Sequence, residues 1–445
     1  MGSKEATSTV LQCGIVGAGI AGLAAAIALR RAGHEIDLYE KSTFKNEIGA
    51  AITITPNGNL VLDRWGFDAK RARETRKCQT RLVNPADLAE VTKLTFNDIA
   101  EQYGHHFNAY HRVDMHEEMR RLAQDAGAKI HLGHPVDDVD CERGTIKLKG
   151  GETLKKDLIV VADGISSGIV DAITGAHCPS RKSPYSVYRT LIPIDRLMAD
   201  PLTQPLWKNQ ESGFCNAMNM QTGTGCMTYP CRDDTLMNFA YFHRTKPHEQ
   251  DNDSWHSRST VEDVLEVLDG FHPAFAAIAK HADIMNCYVV GTRDVLPCMN
   301  GGKAVLIGDA AHAMMPTHAM GGSMCLEDAA ALEVLFSKWQ PTDSVSARLN
   351  LYNQLRLPRN AVTQLASNAM IWFTPLAELQ QEIRKYWDGP LQATSVPPFS
   401  KPIQEFWFGY DAFAAAEKAM DFKDAEGGLP DGVVEHFGGR TKESG

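Results

Sequence analysis

Residues 11–16, Leu-Gln-Cys-Gly-Ile-Val, form a short apolar run that opens onto glycines. Residues 21–32 are rich in alanine and leucine, and residues 35–40, Glu-Ile-Asp-Leu-Tyr-Glu, alternate like a strand. This order predicts strand, tight turn, helix and strand within about thirty residues. A second helix is expected from Asp114 to Ala126, then a strand from Lys129 to Leu132 and a buried five-residue strand from Leu158 to Ala162, which continues the character of a parallel sheet. From Tyr185 to Phe242 the texture changes. Val187–Pro193, Gly213–Met220, Gly225–Pro230 and Leu236–Phe242 read as strands parted by turn residues, predicting a mainly antiparallel sheet inserted as a unit of its own.

A helical stretch from Thr260 to Ala282 follows, and Ala304–Ile307 restores a buried strand before helical segments at Gly322–Trp339 and Asp343–Trp372. Residues 373–445 read as linkers with Pro397, Pro398 and Pro402, plus a last helix from Tyr410 to Met420. The predicted class is α/β: a Rossmann-like dinucleotide-binding domain interleaved with an antiparallel substrate sheet, and helices at the C-terminus. The expected division gives residues 1–78, 104–182 and 288–372 to the first domain, 79–103 and 183–287 to the second, and 373–445 to the C-terminal segment.

Length and composition narrow the function. The 445 residues, 43% of them hydrophobic, suffice for two or three domains with a large core. With 45 basic against 55 acidic residues the formal charge is −10, so neither nucleic acid nor a membrane surface is an expected partner. The ten cysteines are scattered without a CxxC pair, which fits a reduced, intracellular set. The amino terminus lacks an apolar signal segment, and the run from Cys13 to Leu29 carries four glycines and stops at Arg30 and Arg31. A cytoplasmic monomer or homodimer is the expectation.

The glycine triplet carries the first chemistry. GxGxxG also occurs at helix ends and turns, but here it lies between a strand and a helix. Gly17 permits the tight turn, Gly19 lets backbone amides approach a pyrophosphate, and Gly22 lets the helix lie close to the strand. The diphosphate then meets the positive end of that helix. Glu40, closing the second strand, can accept hydrogen bonds from both ribose hydroxyls and repels a 2′-phosphate, leaving NAD or FAD. Gly308-Asp309-Ala310-Ala311-His312 follows the strand Ala304–Ile307, and an aspartate there can hold the polyol that only a flavin carries. Two distant segments converging on one extended cofactor favour FAD.

Three stretches then carry a family resemblance: the GxGxxG unit with Glu40, the turn Asp163-Gly164, and Gly308-Asp309 continuing to Glu327-Asp328-Ala329. Over residues 11 to 375, with an echo at Tyr410-Asp411-Ala412, the chain resembles the single-component FAD-dependent aromatic hydroxylases, particularly their salicylate hydroxylase-like branch. The resemblance implies that Glu40 binds the adenosine ribose and that Glu47-Ile48-Gly49-Ala50-Ala51 lies along the cofactor with Ala51 in contact. It also implies that Arg112 meets the flavin, that Asp163 belongs to the cofactor site and that Asp309 takes the ribityl chain. Gly321 and Gly322 match the turn whose amides meet the flavin pyrimidine, where a helix start favours negative charge. Pro316 and Thr317 are expected to wall the pocket, with His312 behind the cofactor.

The implied reaction uses NADPH or NADH as a transient reductant and dioxygen as co-substrate, and passes one oxygen, by way of a flavin hydroperoxide, to an electron-rich phenol- or indole-like ring in secondary metabolism or aromatic catabolism. Epoxidation or dearomatisation on the same scaffold stays open, as does a flavin-binding scaffold without turnover. Arg189, in Tyr188-Arg189-Thr190, falls where relatives keep a pocket arginine that pairs a phenolate, and Tyr229 is the second catalytic candidate; a solvated strand arginine and a core tyrosine are the alternatives. The chain departs from the family pattern at Ile169-Val170, where Val-Arg is usual, at Met320, often glutamine, and at Met299-Asn300, where tryptophan is expected. Residues 41 to 77 hold no cysteine pair of the disulfide-reducing flavoenzymes, and neither FxGxxxHxxxW nor GWxWxIP occurs. His105, His106, His111 and His116 show no ligand spacing, and no metal is expected.

Overall fold

The computed structural model describes residues 10–44, 50–251, 257–369, 375–389, 401–424 and 426–430. Its first sheet has six strands in the order Asn300–Gly301, Ala304–Leu306, Leu158–Val161, Gln12–Val16, Glu35–Glu40 and Lys129–Leu132. All neighbours are parallel except the two-residue edge strand. Strand Gln12–Val16 lies at the centre, with Val16 in register with both Val161 and Tyr39. Burial on both faces explains the continuous apolar composition of Leu158–Val161. Helix Ile20–Arg31 packs against Arg112–Asp125 and Gly321–Phe336, and its alanines Ala24, Ala25, Ala26 and Ala28 are fully buried, so the helices approach closely.

The second large sheet has eight strands: Arg258–Ser259, Met285–Arg293, Ser180–Pro193, Leu236–Arg244, Thr224–Cys231, Gly213–Asn219, Gln79–Val83 and Glu90–Thr95. Neighbours are antiparallel except for Gly213–Asn219 beside Gln79–Val83. Its long strand begins at Ser180, seven residues before the sequence-based start at Val187, and pairs with Leu236–Arg244 throughout Tyr185–Pro193. Helices Val261–Leu265 and Pro273–Lys280 cover one face, burying Val264, Phe275 and Ile278 against Tyr188, Tyr241 and Cys287. The expected single helical stretch is broken between them, where Gly270 takes a positive φ and Pro273 starts the second helix. A small antiparallel sheet of Ala51–Ile54, Asn108–His111 and Thr75–Arg76 touches the second large sheet at Thr224–Cys231 and the helices Arg112–Asp125 and Gly321–Phe336.

The C-terminal part is more helical than its composition suggested. Leu376–Ile383 and Lys401–Phe408 are helices that proline content obscured, because Pro402 falls in a first turn, where the missing N–H costs nothing. The last helix runs from Ala412 to Phe422, and its N-cap Asp411 accepts from Phe413 N at 2.9 Å and Ala414 N at 3.1 Å. Of the sequence-based readings, Glu47-Ile48-Gly49, Trp372, Pro397 and Pro398 lie outside the described residues. Among the described residues no helix is long and apolar enough to cross a membrane.

Candidate active site

The glycine triplet is enforced by sterics. Gly17 has φ +94°, and a Cβ there would stand 2.7 Å from the Ala162 carbonyl and 2.8 Å from Asp163 Cα. A Cβ on Gly22 would lie 1.8 Å from the Gly17 carbonyl, whereas one on Gly19 meets nothing within 4 Å. The helix beginning at Ile20 has no side-chain cap and no acid in its first turn, so its leading amides keep open donors for a diphosphate. Glu40 steadies this loop by accepting from Ala18 N and Ser42 N at 2.8 and 2.7 Å. His116, given no role by sequence, is buried and donates from Nε2 to the Ala18 carbonyl at 2.7 Å. It stands on the helix that also carries Arg112, which is where a signal could have been found.

Asp163 follows the central neighbour strand, and burial raises its carboxyl above the usual range; its Oδ1 has no partner among the described residues. Val170, where the family pattern has an arginine, is buried, and Arg293 on a separate strand donates to the carbonyls of Ile165, at 2.8 Å, and Cys178. Gly308 approaches Ala21 so closely that a Cβ on it would lie 2.7 Å from the Ala21 Cβ, which joins the Gly308-Asp309 turn to the glycine loop.

Beyond Asp309 the groove widens into a cavity of about 560 Å³. Its wall brings together eight of the sequence-predicted residues: Ala51, Arg112, Arg189, Tyr229, Asp309, Pro316, Gly321 and Gly322. Glu40, Asp163 and the glycine triplet stand instead along the strand ends leading to it. Helix Gly321–Phe336 also starts without a side-chain cap or first-turn acid. A Cβ on Gly322 would meet the ends of the Ile54 and Ile52 side chains at 2.9 and 3.1 Å, while Gly321 faces open space. Met320 points the other way, into the apolar cluster holding Trp407 and Phe408. The long groove, uncapped amides at two helix starts and an orphaned carboxylate oxygen fit an extended dinucleotide such as FAD.

Beneath the Asp309 turn lies a closed ionic network. Glu327 meets Arg356 at 2.7 Å and Arg359 at 2.8 Å, and accepts from Asn57 at 2.6 Å. Asp328 meets His312 at 2.6 Å and Arg356 at 2.9 Å and accepts from Gly308 N at 3.1 Å. Burial would raise the Asp328 carboxyl, but His312 and Arg356 outweigh it and hold it well below its usual range. Arg359 further donates to the carbonyls of Phe406 and Trp407, tying the helix Lys401–Phe408 to the cofactor turns.

In the opposite wall of the cavity, Arg189, Tyr229, Asn238 and Tyr288 come from four strands. Arg189 donates to Asn238, Tyr288 and the Ala51 carbonyl, and Tyr229 donates to that carbonyl too. Burial pushes the Tyr229 hydroxyl up to about 12 although Arg189 draws it back. Among the described residues one set of metal-type donors converges, His243, Glu249 and Cys287, on the far face of this sheet. Its carboxylate is already taken up by His243, Tyr188 and Lys246 N, at 2.8–3.0 Å.

Comparison with known proteins agrees with this geometry. The FAD binding domain family matches residues 9–367. The FAD-dependent monooxygenase cfoG of Aspergillus candidus is 34% identical over 371 residues, covering 80% of this chain and 84% of the relative. Hispidin-3-hydroxylase of Neonothopanus nambi is 34% identical over 376 residues, covering 81% and 87%. In three dimensions CtdE bound to FAD and its substrate superposes with a TM-score of 0.76 at 20% identity, over 92% of this chain and 98% of that one. A salicylate hydroxylase substrate complex gives 0.73 at 21% identity, over 92% and 97%. At such identities the two structures speak for the fold. The chain belongs to the FAD binding domain family and, within it, to the FAD-dependent monooxygenases and aromatic hydroxylases, flavoprotein oxidoreductases that act on small molecules.

Proposed function

We propose that this flavoprotein hydroxylates an electron-rich aromatic small molecule, phenol- or indole-like, with NADPH or NADH as transient reductant and dioxygen as oxygen source. The observation that carries the reading is the single cavity whose one side is built from Asp309, Pro316, Gly321 and Gly322 and whose other side carries Arg189 and Tyr229. The names of relatives support it: hispidin-3-hydroxylase and a 3-hydroxybenzoate 6-hydroxylase of Aquipseudomonas alcaligenes. We take the strands 79–103 and 183–287 as the substrate part, the segments 1–78, 104–182 and 288–372 as the cofactor part, and the cytoplasm as the place of action of a monomer or homodimer.

Bound FAD supplies the electron transfer and oxygen activation. The protein binds, orients and keeps the site dry. Glu40, whose two oxygens keep lone pairs beyond those given to Ala18 and Ser42, accepts the ribose hydroxyls. The Gly17–Gly22 turn takes the diphosphate, Asp309 the ribityl chain, and the amides at Gly321 and Gly322 the pyrimidine edge, where negative charge is met without reorganisation. Ala51, Arg112, Asp163 and Pro316 line the remaining contacts. Arg189 stabilises an ionised ring hydroxyl, the more nucleophilic form of a phenol.

The decisive test follows oxidation of NADH and NADPH by the yellow holoenzyme over a panel of phenols, indoles and polyketides, with labelled dioxygen. Stimulated oxidation with label in the product is the expected result. Reductant never consumed with any compound would leave a flavin scaffold without turnover, and turnover without label would make the protein an oxidase. Asp309→Ala should purify colourless; a variant that keeps stoichiometric FAD overturns the assignment of that aspartate.

A further inference from the structure

The sheet face that roofs the cavity holds a cation, Arg189, whose hydrogen-bond partners are all neutral. Arg189 uses Nε on Asn238 Oδ1 at 3.2 Å, Nη1 on Tyr288 Oη at 3.4 Å and Nη2 on the Ala51 carbonyl at 2.5 Å. The Tyr229 hydroxyl donates to the same carbonyl at 3.2 Å, so one acceptor serves two donors. Among the described residues no carboxylate pairs with Arg189; its charge is felt by the Tyr288 and Tyr229 phenols.

Asn238 makes the imbalance specific. Arginine offers only donors, so the amide oxygen must face Arg189 and the amide nitrogen must face away from it. That nitrogen has no hydrogen-bond partner among the described residues, in a side chain 0% exposed. Asn238 stands opposite Tyr229 in the strand register and borders the cavity. Buried donors are almost always satisfied in native proteins, and an orphan beside a ligand cavity is a donor reserved for the ligand.

We propose that Arg189 and Asn238 form a subsite for an acceptor oxygen of the substrate, and that Asn238 is the residue selecting rings that bear a conjugated carbonyl or an ionised oxygen. The inference rests on the aromatic-substrate reading above and deepens it. Such an oxygen takes one N–H from each residue. Arg189 responds to charge, while Asn238 responds to neutral and ionised oxygens alike, so the two sources of the acceptor separate by experiment.

The holoenzyme is titrated, by perturbation of the flavin absorbance, with two matched pairs: 3-hydroxybenzoate against 3-methylphenol, and 3-hydroxyacetophenone against 3-ethylphenol. Wild-type protein should bind the carboxylate- or ketone-bearing member of at least one pair about tenfold more tightly. Asn238→Leu should bring the ketone ratio to within about twofold by removing the donor, while the benzoate ratio, which the charge of Arg189 also supports, falls by less. Asn238→Asp, similar in shape, tests the same point if the leucine variant does not fold: it should abolish the preference for the ketone and reverse it for the benzoate. Preference in the benzoate pair alone assigns the subsite to an ionised oxygen, and in both pairs to a carbonyl as well. The subsite is overturned by a wild type that shows no preference in either pair, by a ketone preference that survives in Asn238→Leu, or by a benzoate preference that survives in Asn238→Asp, even though phenols still stimulate NAD(P)H oxidation. If no phenol perturbs the flavin or stimulates oxidation, the hydroxylase reading falls and the subsite falls with it.

Discussion

Two interior arginine clusters face the cofactor groove from opposite sides. Below the Gly308-Asp309 turn, Arg356 and Arg359 meet Glu327 and Asp328, and every one of these side chains is 0–3% exposed. Across the cavity, Arg189 lies among phenols, an amide and a carbonyl, with no carboxylate among its described partners. The first cluster closes on itself and leaves little for a ligand to change. The second leaves its cation without a carboxylate and, in our proposal, is completed by what enters the cavity. In the function proposed above, balanced charge holds the turns that grip the cofactor, and unbalanced charge stands where the substrate arrives.

Breaking the balanced cluster should have the largest effect. Arg356→Met leaves Glu327 and Asp328 in a dry site with part of their compensation gone, and stranded buried charges of this kind typically cost about 3–5 kcal/mol. Urea unfolding should show the loss, and the protein should purify with less flavin because Asp328 accepts from Gly308 N beside Asp309. A variant within about 1 kcal/mol of wild type would mean the network is incidental to the fold.

His318 marks the seam between the two clusters. It follows Pro316 of the cavity wall and packs on Trp407, 4.9 Å between ring centroids, in the segment that Arg359 holds. Burial lowers its imidazole from 6.5 to about 4. The unfolded chain therefore takes up a proton near pH 6.5 that the folded chain refuses until about pH 4. Its contribution is neutral above pH 6.5, and stability falls by up to about 3 kcal/mol as pH drops through that window. His318→Phe keeps a ring on Trp407 and removes the proton site. Its unfolding free energy should fall less than that of wild type between pH 7 and pH 4.5; equal falls would place the charge change elsewhere.

The cofactor half was legible because its signals are local. Gly17, Gly19, Gly22 and Glu40 lie on one strand-turn-helix-strand unit, and Gly308-Asp309 directly follows a strand, so neighbours in sequence are neighbours in space. The network under them was half legible: Glu327-Asp328 stood out, but Arg356 and Arg359 lie on a different helix, Val345–Asn368, and only packing shows that they turn inward. On the substrate side Arg189 and Tyr229 were visible as residue types, while Asn238 and Tyr288 were missed. Their meeting depends on register: Tyr229 faces Asn238, and Val187 faces both Phe242 and Tyr288, which sets Tyr288 one row from Arg189. A one-residue slip would turn each to the other face. Trp407 escaped notice because its helix sits behind prolines that suggested a linker.

Removing the unbalanced charge should have the smallest effect on stability, and this sets the contrast most sharply. Arg189 borders the cavity, so water screens part of its charge, and its three partners are neutral. Arg189→Met gives up those hydrogen bonds but also removes a cation without a carboxylate and keeps the apolar stem. The two should nearly cancel, for a net change within about 1 kcal/mol of either sign. Binding of an ionised phenol should nonetheless weaken by about ten- to a hundredfold, the worth of a charge-assisted hydrogen bond, and Arg189→Lys should recover only part because it cannot serve Asn238, Tyr288 and the ligand at once. Urea unfolding and flavin titration on the same preparation separate the two quantities. If Arg189→Met instead lost as much stability as Arg356→Met with phenol binding intact, Arg189 would be a structural residue and the two clusters would be alike.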